Sequence, residues 1–218
     1  MILLVDCNNF FVSCERLFRP DLEKKPVAVL SNNDGCIIAR SNEVKEMGIP
    51  MGAPVFKYQK ILKNRNVTLF SGNFSLYGNI SNRLIMYLQS ISPELEAYSI
   101  DECFLSIDNV PESWDSLGHK IKEQIYRWIG IPVSIGIAET KTLAKLATHL
   151  AKLSGRGVFV MSDYNINNIL KTVNVKELWG IGKRNESILK KYGIHTAYQY
   201  KEAPEYWVKK KLTIIKRL

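Results

Sequence analysis

The chain has 218 residues, 46% of them apolar and 23% charged, which is ordinary globular usage and excludes global disorder. That length suits one compact domain, or one core domain with small appendages. The formal charge is +9, a first hint of polyanion binding, and no apolar run approaches the ~18–20 residues that a membrane span needs. In chain order, Ile2-Leu3-Leu4-Val5 reads as a buried strand that ends at Asp6; with no basic segment before it, it does not read as a signal peptide. Val27–Leu30 and Ile37–Ala39 read as short strands around the turn-rich Ser31–Gly35. Asn42–Met47 reads as a short helix stopped by Gly48 and Pro50. Leu76, Ile80, Leu84 and Leu88 fall at helical spacing and predict a helix over 75–91. Strands follow at Glu96–Ile100 and Cys103–Ile107, with Asp101-Glu102 at their junction. Next come a helix from Trp114 to Trp128, a strand at Val133–Ala138, a helix at Thr140–Leu153 and a strand at Val158–Val160.

The region from Tyr164 to Leu218 holds 12 Lys/Arg against 4 Asp/Glu, a net +8, and leaves +1 for everything before it. Such a basic quarter fits either a polyanion-binding appendage or a solvated, lysine-rich helical face. Cys7, Cys14, Cys36 and Cys103 have no C-x-x-C spacing, and there are three histidines. Reduced thiols and a cytoplasmic location fit better than a zinc site or a disulfide framework.

Residues 11–74 read as an insertion. Without them the order is strand, helix, strand, strand, helix, strand, the split βαβ or ferredoxin-like arrangement. A helical crossover makes the first two strands parallel, and a hairpin reverses the third. The strand that starts near Cys103 then runs antiparallel to the one that ends at Val5. If those strands are neighbours, Asp6 lies beside Asp101 and Glu102. Each acid alone reads equally well as a capping residue or an exposed corner. Together they are unpaired carboxylates whose mutual repulsion a divalent cation removes. Hard oxygen donors without His or Cys suit Mg²⁺ or Mn²⁺, and two such ions form the clamp for in-line displacement at phosphorus.

Two segments carry a specific resemblance. Asp6-Cys7-Asn8-Asn9-Phe10-Phe11-Val12-Ser13-Cys14-Glu15 and Tyr98-Ser99-Ile100-Asp101-Glu102-Cys103-Phe104 resemble the paired signature of Y-family translesion DNA polymerases. The stretch from Leu30 to Lys45 is similar to the UmuC branch of that family, the catalytic subunits of bacterial DNA polymerase V and its plasmid relatives. The resemblance implies an α+β fold. Its ferredoxin-like palm would comprise residues 1–10 and 73–163, its small α/β fingers insertion residues 11–72, and its helical thumb residues 164–218. It implies that Asp6, Asp101, Glu102 and the backbone carbonyl of Cys7 hold two Mg²⁺ ions, with Mn²⁺ as a substitute. Phe11 takes the place of the steric gate, whose ring leaves no room for a ribose 2′-hydroxyl.

Ile37, Ile38 and Ala39 would roof the nascent base pair beside Phe10, while Arg40, Lys45 and Lys152 face the triphosphate. The sequence departs from the wider family at Asn42, where an aromatic residue is common, and at Lys152-Leu153-Ser154-Gly155, which retains the lysine but lacks the usual proline. Leu178-Trp179-Gly180-Ile181-Gly182-Lys183 resembles a helix-hairpin-helix, in which Gly180, Gly182, Lys183 and Arg184 would meet a DNA phosphate. Implied partners are primer–template DNA, a deoxynucleoside triphosphate, a UmuD′-like protein, a sliding clamp and RecA. Relatives continue into a DNA-gripping little finger, which is expected to be absent from this chain, and Trp207, Leu212, Ile214, Ile215 and Leu218 suggest an apolar face near its end. The implied activity is error-prone, template-directed nucleotide addition of the SOS mutagenesis type. Two readings compete with it: a non-catalytic DNA- or partner-binding remnant of such a polymerase, and a nucleotidyl cyclase built on a similar palm. The basic C-terminal quarter speaks against the cyclase.

Overall fold

The computed structural model describes residues 1–108, 110 and 112–212. The expected apolar positions Ile214, Ile215 and Leu218 therefore lie outside the described residues. The chain begins with β1 (Ile2–Cys7) and α1 (Phe10–Phe18), then a 3-10 turn at Pro20–Leu22. There follow β2 (Val27–Leu30), β3 (Ile37–Arg40), α2 (Asn42–Glu46), α3 (Val55–Asn64) and β4 (Thr68–Phe70). Next are α4 (Phe74–Ile91), β5 (Leu95–Ala97), β6 (Glu102–Ser106), α5 (Trp114–Ile129), β7 (Val133–Ala138), α6 (Lys141–Leu153) and β8 (Val158–Val160). The last described part is helical: α7 (Ile166–Thr172), a 3-10 turn at Val175–Glu177, α8 (Lys183–Lys191), α9 (Ala197–Glu202) and α10 (Glu205–Lys211).

A five-stranded sheet has the order β5-β6-β1-β7-β8. Its first four strands are the ferredoxin-like set, and β8 extends it parallel to β7. β1 pairs antiparallel with both β6 and β7, so the neighbour relation expected from element order is present. Period-2 alternation divides β1 between two cores. Leu3 and Val5 face a cluster with Phe10, Tyr77, Leu84 and Ile121 from α1, α4 and α5. Leu4 faces the other cluster, with Leu143, Ala144 and Ala147 of α6. That second core continues into Leu170, Val175, Leu178 and Leu189, so the C-terminal helices share apolar burial with α6. Each fully buried Leu contributes about 1.5–3 kcal/mol.

The expected strand over 96–100 is shorter than its apolar pattern suggested. β5 ends at Ala97, because the amides of Tyr98 and Ser99 both donate to the Glu102 carbonyl and close a tight turn. Thr140 lies just outside α6 as its cap, its hydroxyl accepting from the Leu143 amide at 3.3 Å. A second sheet, β3-β2-β4, lies within residues 11–72 and has its own small core of Ala28, Leu30, Ile37, Val44 and Ile49. Its Val27 and Val29 join the main core.

One glycine sets the helix–sheet distance that matters for the site. A Cβ on Gly136 of β7 would lie 2.2 Å from the Ala144 carbonyl oxygen and from the Thr148 amide nitrogen. α6 therefore lies directly on the sheet at this point, which no larger residue would allow.

Candidate active site at the end of the central sheet

Alternation along β1 puts Asp6 on the same face as Leu4, toward α6. In the β1–β6 ladder Asp6 sits opposite Glu102, and the Cys7 amide donates to the Asp101 carbonyl at 2.9 Å. Glu102 shares a face with Phe104, again toward α6. The three carboxylates expected to converge do come to one sheet end.

Two lysines of α6 meet them. Lys145 and Lys152 are seven residues apart, two helical turns, and project from one face about 10 Å apart along the axis. Lys152 Nζ lies 2.6 Å from Asp6 Oδ1. Lys145 Nζ donates to both Glu102 oxygens at 3.0 Å. Asp101 accepts instead from the Ser99 hydroxyl at 2.6 Å. Burial lifts the Asp6 carboxyl from 3.8 to about 6 against the opposing pull of Lys152, and the neighbouring charges of Glu102 and Asp101 lift it further. The Cys7 thiol is pushed up for the same reasons, burial first.

Lys145 is also enclosed by rings. Its ammonium lies 4.7 Å from the Tyr98 ring centroid and 5.1 Å from that of Trp179. Trp179 in turn stacks on Phe104 at 6.0 Å. The turn that leads into α8 is thus tied to the strand that carries Glu102.

On the other side of Asp6 a cavity of about 400 Å³ is lined by Asn9, Asn42, Lys45, Lys122 and Lys152, among others. Asn9 is a non-glycine residue in the left-handed region, at φ 49. This conformation turns its side chain to accept from Lys45 Nζ at 2.5 Å and to donate to Asn42 Oδ1 at 3.0 Å. Burial and the like charges of Arg40 and Lys152 hold the Lys45 ammonium below the usual lysine range, partly offset by Asp6. The Arg40 guanidinium donates to the Ile49 carbonyl, while its Nε is buried without a partner among the described residues.

Phe11 is half-buried on α1 and stacks on Tyr77 with centroids 4.3 Å apart. Phe10 and Ala39 are buried in the main core, and Ile38 packs against it. Gly180 has φ 92, and Gly182 caps α8 without a side-chain bond. Lys183 and Arg184 are exposed and make no ion pair among the described residues. The segment before this turn is a single 3-10 turn, not an α-helix.

Lys145, Asn9 and Tyr77 were not singled out from sequence. The signal for Lys145 is its position one helical face from Lys152, useful only once Glu102 is known to face α6. The described residues include no three His, Cys, Asp or Glu side chains close enough together to hold a metal ion. The donor chemistry nonetheless suits a hard divalent cation: three carboxylates at one sheet end, of which Asp6 and Glu102 are paired with lysines and Asp6 also has a raised pKa.

Residues 5–149 match the impB/mucB/samB family. The chain is 41% identical to Protein ImpB of Salmonella typhimurium over 222 residues, which covers 99% of this chain and 52% of that protein. It is 40% identical to Protein UmuC of Salmonella typhimurium strain LT2 over 221 residues, with the same coverage. DNA polymerase IV 1 of Halalkalibacterium halodurans is 30% identical over 219 residues, 98% of this chain and 52% of that protein. Among solved structures, DinB from Sulfolobus solfataricus superimposes with a TM-score of 0.84 at 25% identity, covering 96% of this chain and 62% of that one. An insertion ternary complex of Dbh DNA polymerase gives the same TM-score, identity and coverage. The chain spans about half the length of the curated relatives it matches.

Proposed function

The chain belongs to the impB/mucB/samB family, and from that membership we propose that it is the catalytic portion of a translesion DNA polymerase. It would add deoxynucleotides to a primer 3′-hydroxyl in template order and release pyrophosphate. The observation that carries this reading is the meeting of Asp6, Asp101 and Glu102 at one sheet end, beside a lysine-lined cavity.

Asp6, Asp101, Glu102 and the Cys7 carbonyl are the groups that would hold divalent cations, Mg²⁺ by the hardness of the oxygen donors. When bound, such ions polarise a phosphoryl oxygen and lower the pKa of an attacking hydroxyl. The chain's own residues do the rest. Lys45 and Lys152 neutralise the triphosphate, with Lys152 exchanging Asp6 for phosphate oxygens. Asn9 holds the Lys45 ammonium at the cavity wall until phosphate takes its place. Phe11 offers one ring face to the sugar while the other rests on Tyr77. Ile38 contributes apolar surface near the base pair.

In this reading residues 1–10 and 73–163 form the palm, 11–72 the fingers, and the helices from 164 onward the thumb. The Gly180–Gly182 turn with Lys183 and Arg184 would grip the DNA backbone without reading sequence. A UmuD′-like protein, a sliding clamp and RecA are proposed partners of the longer protein by resemblance alone.

Primer extension with Mg²⁺ on undamaged and abasic templates tests the function. Extension by single templated nucleotides, continuing past the abasic site, is the expected result. Conversion of nucleoside triphosphates to cyclic products without a primer would favour a cyclase. Tight primer–template binding with no extension would favour a non-catalytic remnant.

A further inference from the structure

Phe11 and Glu15 lie four residues apart on α1 and therefore on one face of it. Phe74 and Tyr77 face them from α4. The Phe11 and Tyr77 rings are nearly parallel, 14° between planes, and Phe74 meets both edge-on at 5.8 Å. Tyr77 is fully buried, and its hydroxyl donates to Glu15 Oε1 at 2.7 Å. Glu15 itself is only 9% exposed.

A buried carboxylate is a costly way to hold two helices together. An apolar pair of the same volume would pack at least as well. What the pair supplies is direction: the hydrogen bond fixes the far end of the Tyr77 ring, and Phe74 limits its rotation. The surface on which Phe11 rests then cannot move away. Phe11 excludes a hydroxyl by contact, and a contact filter fails once its ring can retreat by a fraction of an ångström.

We propose that Glu15 is a positioning residue for sugar selection, acting through Tyr77 to hold the Phe11 ring in place. The proposal rests on the reading of Phe11 as the gate against ribonucleotides. It adds that the gate's stiffness depends on a polar contact beneath it, on the side away from the nucleotide.

The test uses the full 218-residue chain and a dideoxy-terminated primer–template, so that affinities for a dNTP and the matching rNTP are compared without chemistry. Thermal melting is followed in parallel. The proteins are the parent, Phe11→Ala, Glu15→Gln, and the double variant Tyr77→Phe with Glu15→Leu. The double variant removes both polar groups and keeps the volume, so it should melt near or above the parent. Its preference for dNTP over rNTP should nevertheless fall by about threefold to tenfold, the scale of one hydrogen bond. Glu15→Gln keeps a carbonyl acceptor and should retain the parental preference. Parental preference in the double variant would overturn the role of Glu15. An unchanged preference in Phe11→Ala would overturn the gate reading itself, and the proposal with it. So would failure of the parent to bind either nucleotide.

Discussion

The acid end of the central sheet and the C-terminal helices carry charge in opposite ways. At the sheet end two of the three acids have a cation beside them: Asp6 has Lys152 at 2.6 Å and Glu102 has Lys145 at 3.0 Å, while Asp101 accepts from the Ser99 hydroxyl. From Tyr164 onward cations outnumber acids by 12 to 4. The four acids cannot match them, and exposed Lys183 and Arg184 make no ion pair among the described residues. Buried charge demands compensation inside the protein, whereas exposed charge is screened by solvent and stays free for a polyanion. In the proposed reading the first region would exchange one partner for another, and the second would capture DNA. Trp179 connects them, because it packs on Phe104 and borders the ammonium that holds Glu102.

Removing an acid from the sheet end should have the largest effect. Glu102→Ala or Asp6→Ala should lower nucleotide insertion about a thousandfold or more, the scale of losing metal-assisted charge stabilisation. Both proteins should remain folded, since each change also relieves repulsion. Insertion at the parental rate by either would remove these residues from the chemistry.

The next largest effect is on stability in metal-free buffer. Asp6 titrates at about 6 in the fold against 3.8 when unfolded. Between those values the folded chain binds more protons, so stability falls as pH rises from about 4 to about 6 and is flat above. The direction follows from the raised Asp6 pKa, whose first cause is burial. Asp6→Asn should remove that slope from a denaturation series. An unchanged slope would mean that Asp6 is not the titrating group.

With Glu102 holding a divalent ion as proposed, Lys145→Met should reduce insertion about 10- to 100-fold, the scale of losing a group that orients a metal ligand. It should also raise the divalent-ion concentration needed for half-maximal rate, a shift that simple loss of packing would not cause. The smallest effect belongs to the C-terminal region. Replacing Lys183 and Arg184 with Ala should flatten the dependence of log affinity on log salt by up to ~2 units and weaken all DNA sequences alike. Parental slopes would return these residues to ordinary solvated charge.

Much of the main sheet was legible from element order. The run Ile2–Val5, the helical spacing through Leu76–Leu88 and a strand junction beside Asp101-Glu102 gave β1 and β6 opposite directions; that they are neighbours was a condition, which the pairing meets. Several features escaped for physical reasons. β4 is three residues long, too short for periodicity, and is defined by its parallel pairing with β2. The left-handed Asn9 is a tertiary choice, made where its amide can reach Lys45 and Asn42. The Glu15–Tyr77 contact joins residues 62 apart in sequence, and neither is unusual where it stands. Lys152 was legible through a motif. Lys145 was not, because its meaning depends on which face of β6 Glu102 occupies.

The most direct measurement is single-turnover insertion of each of the four dNTPs opposite a defined template base by the 218-residue chain with Mg²⁺, with Asp101→Ala alongside. The complementary nucleotide should be inserted fastest, changing the template base should change which nucleotide that is, and Asp101→Ala should insert none at a comparable rate. Insertion that ignores the template base, or an Asp101→Ala protein as fast as the parent, would contradict the proposed function.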